Sequence, residues 1–280
     1  MSAANISRCL VAIGMAFSSP LLAQSNGDLA HPALSSTFEL QLGAFFPNNG
    51  LELQANLDDS NLGDLIDFNK VFGVDKSDST FALDFRWRFG EKWSVSGQYW
   101  DARVSGRRVL EEDITWEDLT LESGSFAEAG VDTAVMRVFF GREFMSGRDY
   151  EFGAGLGFHW MEIEAYIQGE VKTNVGGITT ERRDADVGAP LPNIGAWYIY
   201  APNSTWAVQA RVDWLSASFD EYSGSLFNSG VMASYQFTDN VGLGLSYNYF
   251  ELDVDVDDTY WNGGAEIRQH GPFVSLILDW

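Results

Sequence analysis

The chain has 280 residues and carries 17 Lys and Arg against 40 Asp and Glu, a formal charge of −23. That balance excludes a nucleic-acid partner, which needs a basic footprint, and suits divalent cations or a cation-rich surface instead. Its one cysteine, Cys9, leaves no disulfide framework.

Residues 1–23 hold one basic residue, Arg8, then an apolar run from Cys9 to Phe17 and a small residue, Ala23. A basic end, an apolar core too short to span a bilayer and a small residue at the cut predict a secretory signal peptide over 1–23. Cys9 lacks a lipoprotein lead-in and leaves with that segment. Residues 24–35 show no periodicity and are expected to form a short periplasmic lead. No run of about 18 apolar residues follows, so no membrane-spanning helix is expected. With 28 Gly, 10 Trp, 10 Tyr and 20 Phe, the composition suits strands closed into a barrel, the other way to pair every backbone amide in lipid.

From Thr37 onward apolar residues recur at every second position, the period of a strand. Phe38, Leu40, Leu42, Ala44 and Phe46 share one parity. Pro47-Asn48-Asn49-Gly50 has hairpin chemistry, since Asn-Gly supplies positive φ readily, and Leu51–Leu57 alternates again. Asp64–Val74 is a weak strand or an inward loop. Thr80–Phe89 is the clearest strand: Phe81, Leu83, Phe85, Trp87 and Phe89 face one way, Asp84, Arg86 and Arg88 the other. An apolar outer face against a charged inner one is the pattern of a barrel with lipid outside and a polar interior.

Trp93–Tyr99, Ala134–Phe140, Tyr150–Trp160, Pro192–Tyr200, Trp206–Trp214, Phe227–Phe237, Val241–Tyr249 and a last strand ending at Trp280 continue the alternation. Gly153, Gly155 and Gly157 form an inward row that predicts a bend or a close neighbour inside the wall. Short connections (90–92, 146–149, 201–204, 238–240) alternate with long polar ones (105–130, 167–187, 257–263). Aromatics crowd the short turns: Phe89, Trp93, Phe144, Tyr150, Tyr200, Trp206, Phe237 and Trp280, as an interfacial girdle would.

The signal peptide, the repeated hairpins and the terminal strand Gly271–Trp280 resemble Gram-negative outer-membrane β-barrel proteins. The resemblance is architectural and covers residues 36–280. It implies a single all-β, antiparallel up-and-down barrel in the outer membrane, in contact with its lipid and lipopolysaccharide. It also implies that the barrel-assembly machinery reads the last strand through Phe273, Leu276, Leu278 and Trp280. Both ends in the periplasm require an even strand number. The count is twelve with 51–57 and 64–74 included, which the Asn-Gly signal favours, and ten without them.

Asp84, Arg86, Arg88, Arg137, Glu151, Arg211 and Asp213 share the inward parity and would line the lumen, either as a charged constriction or as ion pairs that fill the barrel. His159, inward and close in sequence to Glu162 and Glu164, invites a general-base hypothesis; Ser94 and Ser96 are inward hydroxyls at the opposite end of their strand. The Asp-His pair of omptin-type proteases and a Ser-His motif of the deacylase kind are absent. Asp253–Asp258 fails as a calcium loop, with Asp258 where Gly is needed and Gly264 where Glu is needed, so these carboxylates are expected to continue a strand and to bind divalent cations weakly at most. No cofactor motif occurs. The expectation is a non-enzymatic barrel, porin-like or structural, with acidic outer loops; a surface lipid deacylase or protease near His159 is the alternative.

Overall fold

A computed structural model describes residues 30–56, 66–67, 79–111, 113–116, 119–172, 178–219, 222–257 and 262–280. The expected signal peptide, the start of the lead and Asp258 lie outside the described residues. One short helix, α1 (Pro32–Ser35), precedes β1 (Phe38–Phe45), β2 (Asn48–Asn56), β3 (Ile66–Asp67), β4 (Thr80–Phe89), β5 (Trp93–Val109), β6 (Ile114–Trp116) and β7 (Leu119–Leu121). There follow β8 (Phe126–Ser146), β9 (Tyr150–Lys172), β10 (Ile178–Tyr200), β11 (Trp206–Phe219), β12 (Tyr222–Thr238), β13 (Val241–Asp257) and β14 (Asn262–Asp279). The main sheet runs β1-β4-β5-β8-β9-β10-β11-β12-β13-β14, and β14 pairs back to β1 and closes the circuit. Tight antiparallel turns at one end make this possible; Gly90, at φ 61°, supplies the left-handed residue of one of them.

The hairpin expected at Pro47–Gly50 does not form. Phe45 faces Phe273 and Asn48 faces His270, so three residues elapse on each strand and β2 continues β1 along β14 in one register. Asn-Gly permits a tight turn without forcing one, and the long β14 ladder holds the segment extended. Among the described residues the closed circuit therefore has ten staves, with β2 prolonging β1 and β3 joined to β2. Of Asp64–Val74, Ile66–Asp67 is described as strand.

The barrel has two zones. Toward the short turns its outer wall is apolar: Leu156 is 65% exposed and Leu245 57%, as lipid-facing side chains should be. Trp93, Tyr150, Tyr200, Trp206, Phe237 and Trp280 rim that band near the short turns, and Tyr99, Trp160, Trp214, Phe227 and Tyr247 form a second girdle six to ten residues further along their strands, as at the two interfaces of such a barrel.

Above the second girdle the polarity inverts. Outward positions become Arg103 and Asp132, which pair at 3.6 Å, and Glu162, Glu164, Arg182 and Asp184, all exposed. Inward positions become Trp100, Val104, Ala129, Val131, Val135, Met161, Ile163, Ile167, Leu226, Phe250, Leu252 and Ile267, one buried apolar cluster. This is the pattern of a water-soluble barrel, each buried large side chain contributing about 1.5–3 kcal/mol. The long loops expected at 105–130 and 167–187 are accordingly mostly strand, since β5 reaches Val109, β8 begins at Phe126, β9 reaches Lys172 and β10 begins at Ile178. Leu110 and Leu121, from the connection that carries β6 and β7, sit in the same apolar core. The carboxylates from Asp253 to Asp257 do continue a strand, the end of β13.

Candidate functional site in the barrel interior

The interior is filled in three layers. At the mouth beside the short turns α1 folds inward instead of trailing as a lead: Ala33 packs with Ile199, Ala201 and Ala207, and Leu34 and Trp197 lie against them. Pro at the first helical position and His31 as N-cap start the turn, and the His31 Nδ1 accepts the Ala33 N–H at 3.0 Å. The helix is too short to satisfy its own carbonyls, and the wall supplies the donors. Arg86 and Arg88 both donate to the Ala33 carbonyl, at 3.1 and 2.6 Å, and Arg88 also reaches the Ser36 carbonyl at 3.0 Å. Burial holds the His31 imidazole below its ordinary pKa, against the pull of Glu39; protonating Nδ1 would also remove the acceptor that caps α1.

The same arginines are neutralised within the wall. Arg86 pairs with Glu39 at 2.5 Å and Arg88 with Glu151 at 2.9 Å. Trp197 donates its indole N–H to the other Glu151 oxygen at 2.7 Å. The inward glycines make room for this ring: a Cβ at Gly153 or Gly141 would fall 2.1 or 2.4 Å from Trp197. Trp197 in turn meets Phe139 edge-on, with centroids 6.1 Å apart.

In the middle layer Arg137 forms a two-pronged bond to Asp213, Nε–Oδ2 2.5 Å and Nη2–Oδ1 2.8 Å, and donates to Ser96 Oγ at 3.1 Å. Arg211 Nη1 and His159 Nε2 each stand 4.0 Å from the same Asp213 carboxylate. The His159 Nε2 accepts from the Asn228 amide at 2.9 Å, and its Nδ1 donates to Asn193 Oδ1 at 3.2 Å. Asp84 accepts from Gln98 at 3.4 Å. Four arginines thus face Glu39, Asp84, Glu151 and Asp213 across the interior. Between the two polar layers lies a cavity of about 110 Å³ lined by Glu39, Asp84, Arg86, Arg137, Gln209 and Arg211, room for about three or four waters. Above it the apolar core fills the barrel.

All seven charged residues singled out from the sequence, Asp84, Arg86, Arg88, Arg137, Glu151, Arg211 and Asp213, stand on this inner wall, as does His159, which has no exposed surface. Glu162 and Glu164 are on the outer wall, so the acid–base cluster suggested by their closeness to His159 does not assemble; adjacent residues of a strand point to opposite faces. Ser94 and Ser96 point inward at the layer below, and Ser96 serves Arg137. Leu276 and Trp280 face outward, but Phe273 is 1% exposed in the inner core, because its parity is that of Ser275 and Ile277. Glu39, Gln98, Asn193, Asn228 and Trp197 were missed as members of the network, although strand parity alone marks all five as inward. Nothing in the sequence marks the Ala33 carbonyl. Among the described residues no group of His, Cys, Asp and Glu is placed to hold a metal ion.

No protein-family model matches the chain, and no curated protein matches it in sequence. Among solved structures, the outer membrane protease OmpT from Escherichia coli superposes with a TM-score of 0.58 at 10% identity, over 87% of this chain and 96% of OmpT. The toluene transporter TodX of Pseudomonas putida gives 0.39 at 7% identity, over 89% and 91% of the two chains. Ail, the attachment invasion locus protein of Yersinia pestis, gives 0.26 at 14% identity, over 84% and 97%. At these identities the likeness concerns the fold alone. That fold is the antiparallel β-barrel of Gram-negative outer-membrane proteins.

Proposed function

We propose that the mature chain is a closed, non-enzymatic barrel of the outer membrane. On this reading it is exported by its N-terminal segment, seated in phospholipid and lipopolysaccharide, and recognised for assembly through Leu276, Leu278 and Trp280. The observation that carries the reading is how far the described residues fill the interior: the α1 plug, the Arg–carboxylate layers and the outer apolar core surround a cavity of about 110 Å³. Wide barrels conduct because their interiors are wet from end to end. Here Arg86, Arg88 and Arg137 are each paired with a carboxylate, which favours a structural barrel over a porin-like channel. Divalent cations are expected to associate weakly with the outer carboxylates.

An enzyme that uses His159 has less support. Both ring nitrogens are engaged by amides, the side chain is fully buried, and a general base needs a substrate proton within hydrogen-bond reach. Liposome swelling with small sugars tests the proposal. Vesicles carrying the refolded chain should swell no faster than empty ones, and solute-size-dependent swelling would refute closure.

A further inference from the structure

The wall is not zipped evenly. β10 pairs with β9 along its whole length, from Ile178 opposite Lys172 to Tyr200 opposite Tyr150. Its pairing with β11 stops at Ile194 opposite Trp214. Above that point, among the described residues, no strand pairs with the other edge of β10. Glycine surroundings mark the same split: a Cβ at Gly195 would fall 2.8 Å from the Val212 carbonyl of β11, whereas at Gly188, among the described residues, the atoms within 4 Å belong to Met161 and Glu162 of β9.

Which amides face the split follows from alternation along a strand. Just past β10, Ala201 donates to Asp149 on the β9 side, so odd-numbered amides of this strand face β9 and even-numbered ones face the split. Pro190 and Pro192 fall on the even parity and have no N–H to leave unpaired at the level of the Trp160 girdle, where Pro190 stands opposite Trp160. Asp184, Asp186 and Gly188 lie beyond the girdle and keep their amides. An unpaired strand edge in water is a template for another strand.

We propose that the β10 edge at Asp184–Gly188 takes up an extended cationic peptide as an added strand. The occupant is argued from charge: Glu162 and Glu164 are exposed on the adjoining wall, Asp184 beside them is paired with Arg182, and the chain carries −23, so a second copy would meet like charge. The site lies above the lipid-facing band, which disfavours an acyl chain. The inference is independent of whether the lumen conducts.

The test uses the full refolded chain in nanodiscs and a fluorescent decapeptide of alternating Lys and Thr, read by anisotropy and by hydrogen exchange. Binding should slow exchange at 184–188. Gly188→Pro should weaken it at least tenfold, since its amide faces away from β9, whereas Gly188→Ala should not. A fully N-methylated peptide of the same charge, which lacks amide donors, should fail on the unaltered protein and so tests strand addition without a variant. Equal binding of the methylated peptide, or no protection at 184–188, would overturn the proposal. Protection of that edge without peptide, rising with protein concentration or on adding lipopolysaccharide, would assign the edge to a second copy or to lipid and overturn it equally.

Discussion

At the residue scale, the interior charges illustrate the asymmetry between making and breaking a buried pair. Arg137 and Asp213 are 6% and 0% exposed, so each is tolerable because the other is there. Asp213→Ala strands Arg137 and deprives Arg211 and His159 of their shared neighbour. It should cost about 3–5 kcal/mol, read as a lower urea midpoint of the refolded barrel in micelles. Replacing Arg137 and Asp213 together by Met and Leu should recover most of that loss; if the double variant were as unstable as the single, the pairing account would fail. Gly153 makes a second case. Gly153→Val forces the Trp197 ring from its seat and off Glu151, an overpacking expected to cost about 1–3 kcal/mol and to shift Trp fluorescence; an unchanged midpoint would contradict the tight seat.

At the element scale, α1 is held by groups whose charge depends on pH. The docked His31 has a pKa below its ordinary value of about 6.5, with Glu39 opposing the shift and Arg86 adding to it. Docking is therefore complete above about pH 6.5. As pH falls from there toward the lowered pKa, the released segment binds protons that the docked one refuses, and docking weakens. Hydrogen exchange at 33–36, corrected for intrinsic rates, should show less protection at pH 5 than at pH 8. His31→Asn, which keeps a capping side chain, should remove the difference. Protection that rises toward acid would reverse the sign and refute the account.

The elements also show where sequence and structure part. Strand parity was legible wherever one face was lipid-facing: Phe81 to Phe89 and Trp206 to Trp214 need no partner to be read. Asn48-Asn49-Gly50 was misread because turn propensity is local, whereas the β14 ladder that straightens it lies more than 200 residues away. Ile163, Ala165 and Ile167 against Glu162, Glu164 and Tyr166 keep period two, but with apolar inside and charge outside. Read on the lipid-facing rule, that inversion looks like a polar loop, which is how 105–109 of β5, 126–130 of β8, 167–172 of β9 and 178–187 of β10 were assigned. The inward network was half legible, since parity places Arg137 and Asp213 on one wall but not opposite each other. The α1 plug depends on a backbone carbonyl and left no mark in the sequence.

At the scale of the whole molecule, the chain is a membrane barrel whose strands continue outward with the opposite polarity, into a wall split along one edge of β10 among the described residues. The lower part satisfies lipid outside and ion pairs inside; the upper part satisfies water outside and a packed core inside. On the proposed reading each part closes the other. Removing the plug alone should therefore not open a passage, because the core around Val131, Ile163 and Leu252 still fills the upper half. The most direct test is single-channel recording of the refolded mature chain in a planar bilayer, with folding established by heat-modifiable mobility. A quiet bilayer is predicted for the unaltered chain, for a variant lacking residues 30–36, and for Arg86, Arg88 and Arg211 changed to Ala. Steady openings in the unaltered chain, with a selectivity altered by the three arginine substitutions, would contradict closure and make those residues the filter of a pore.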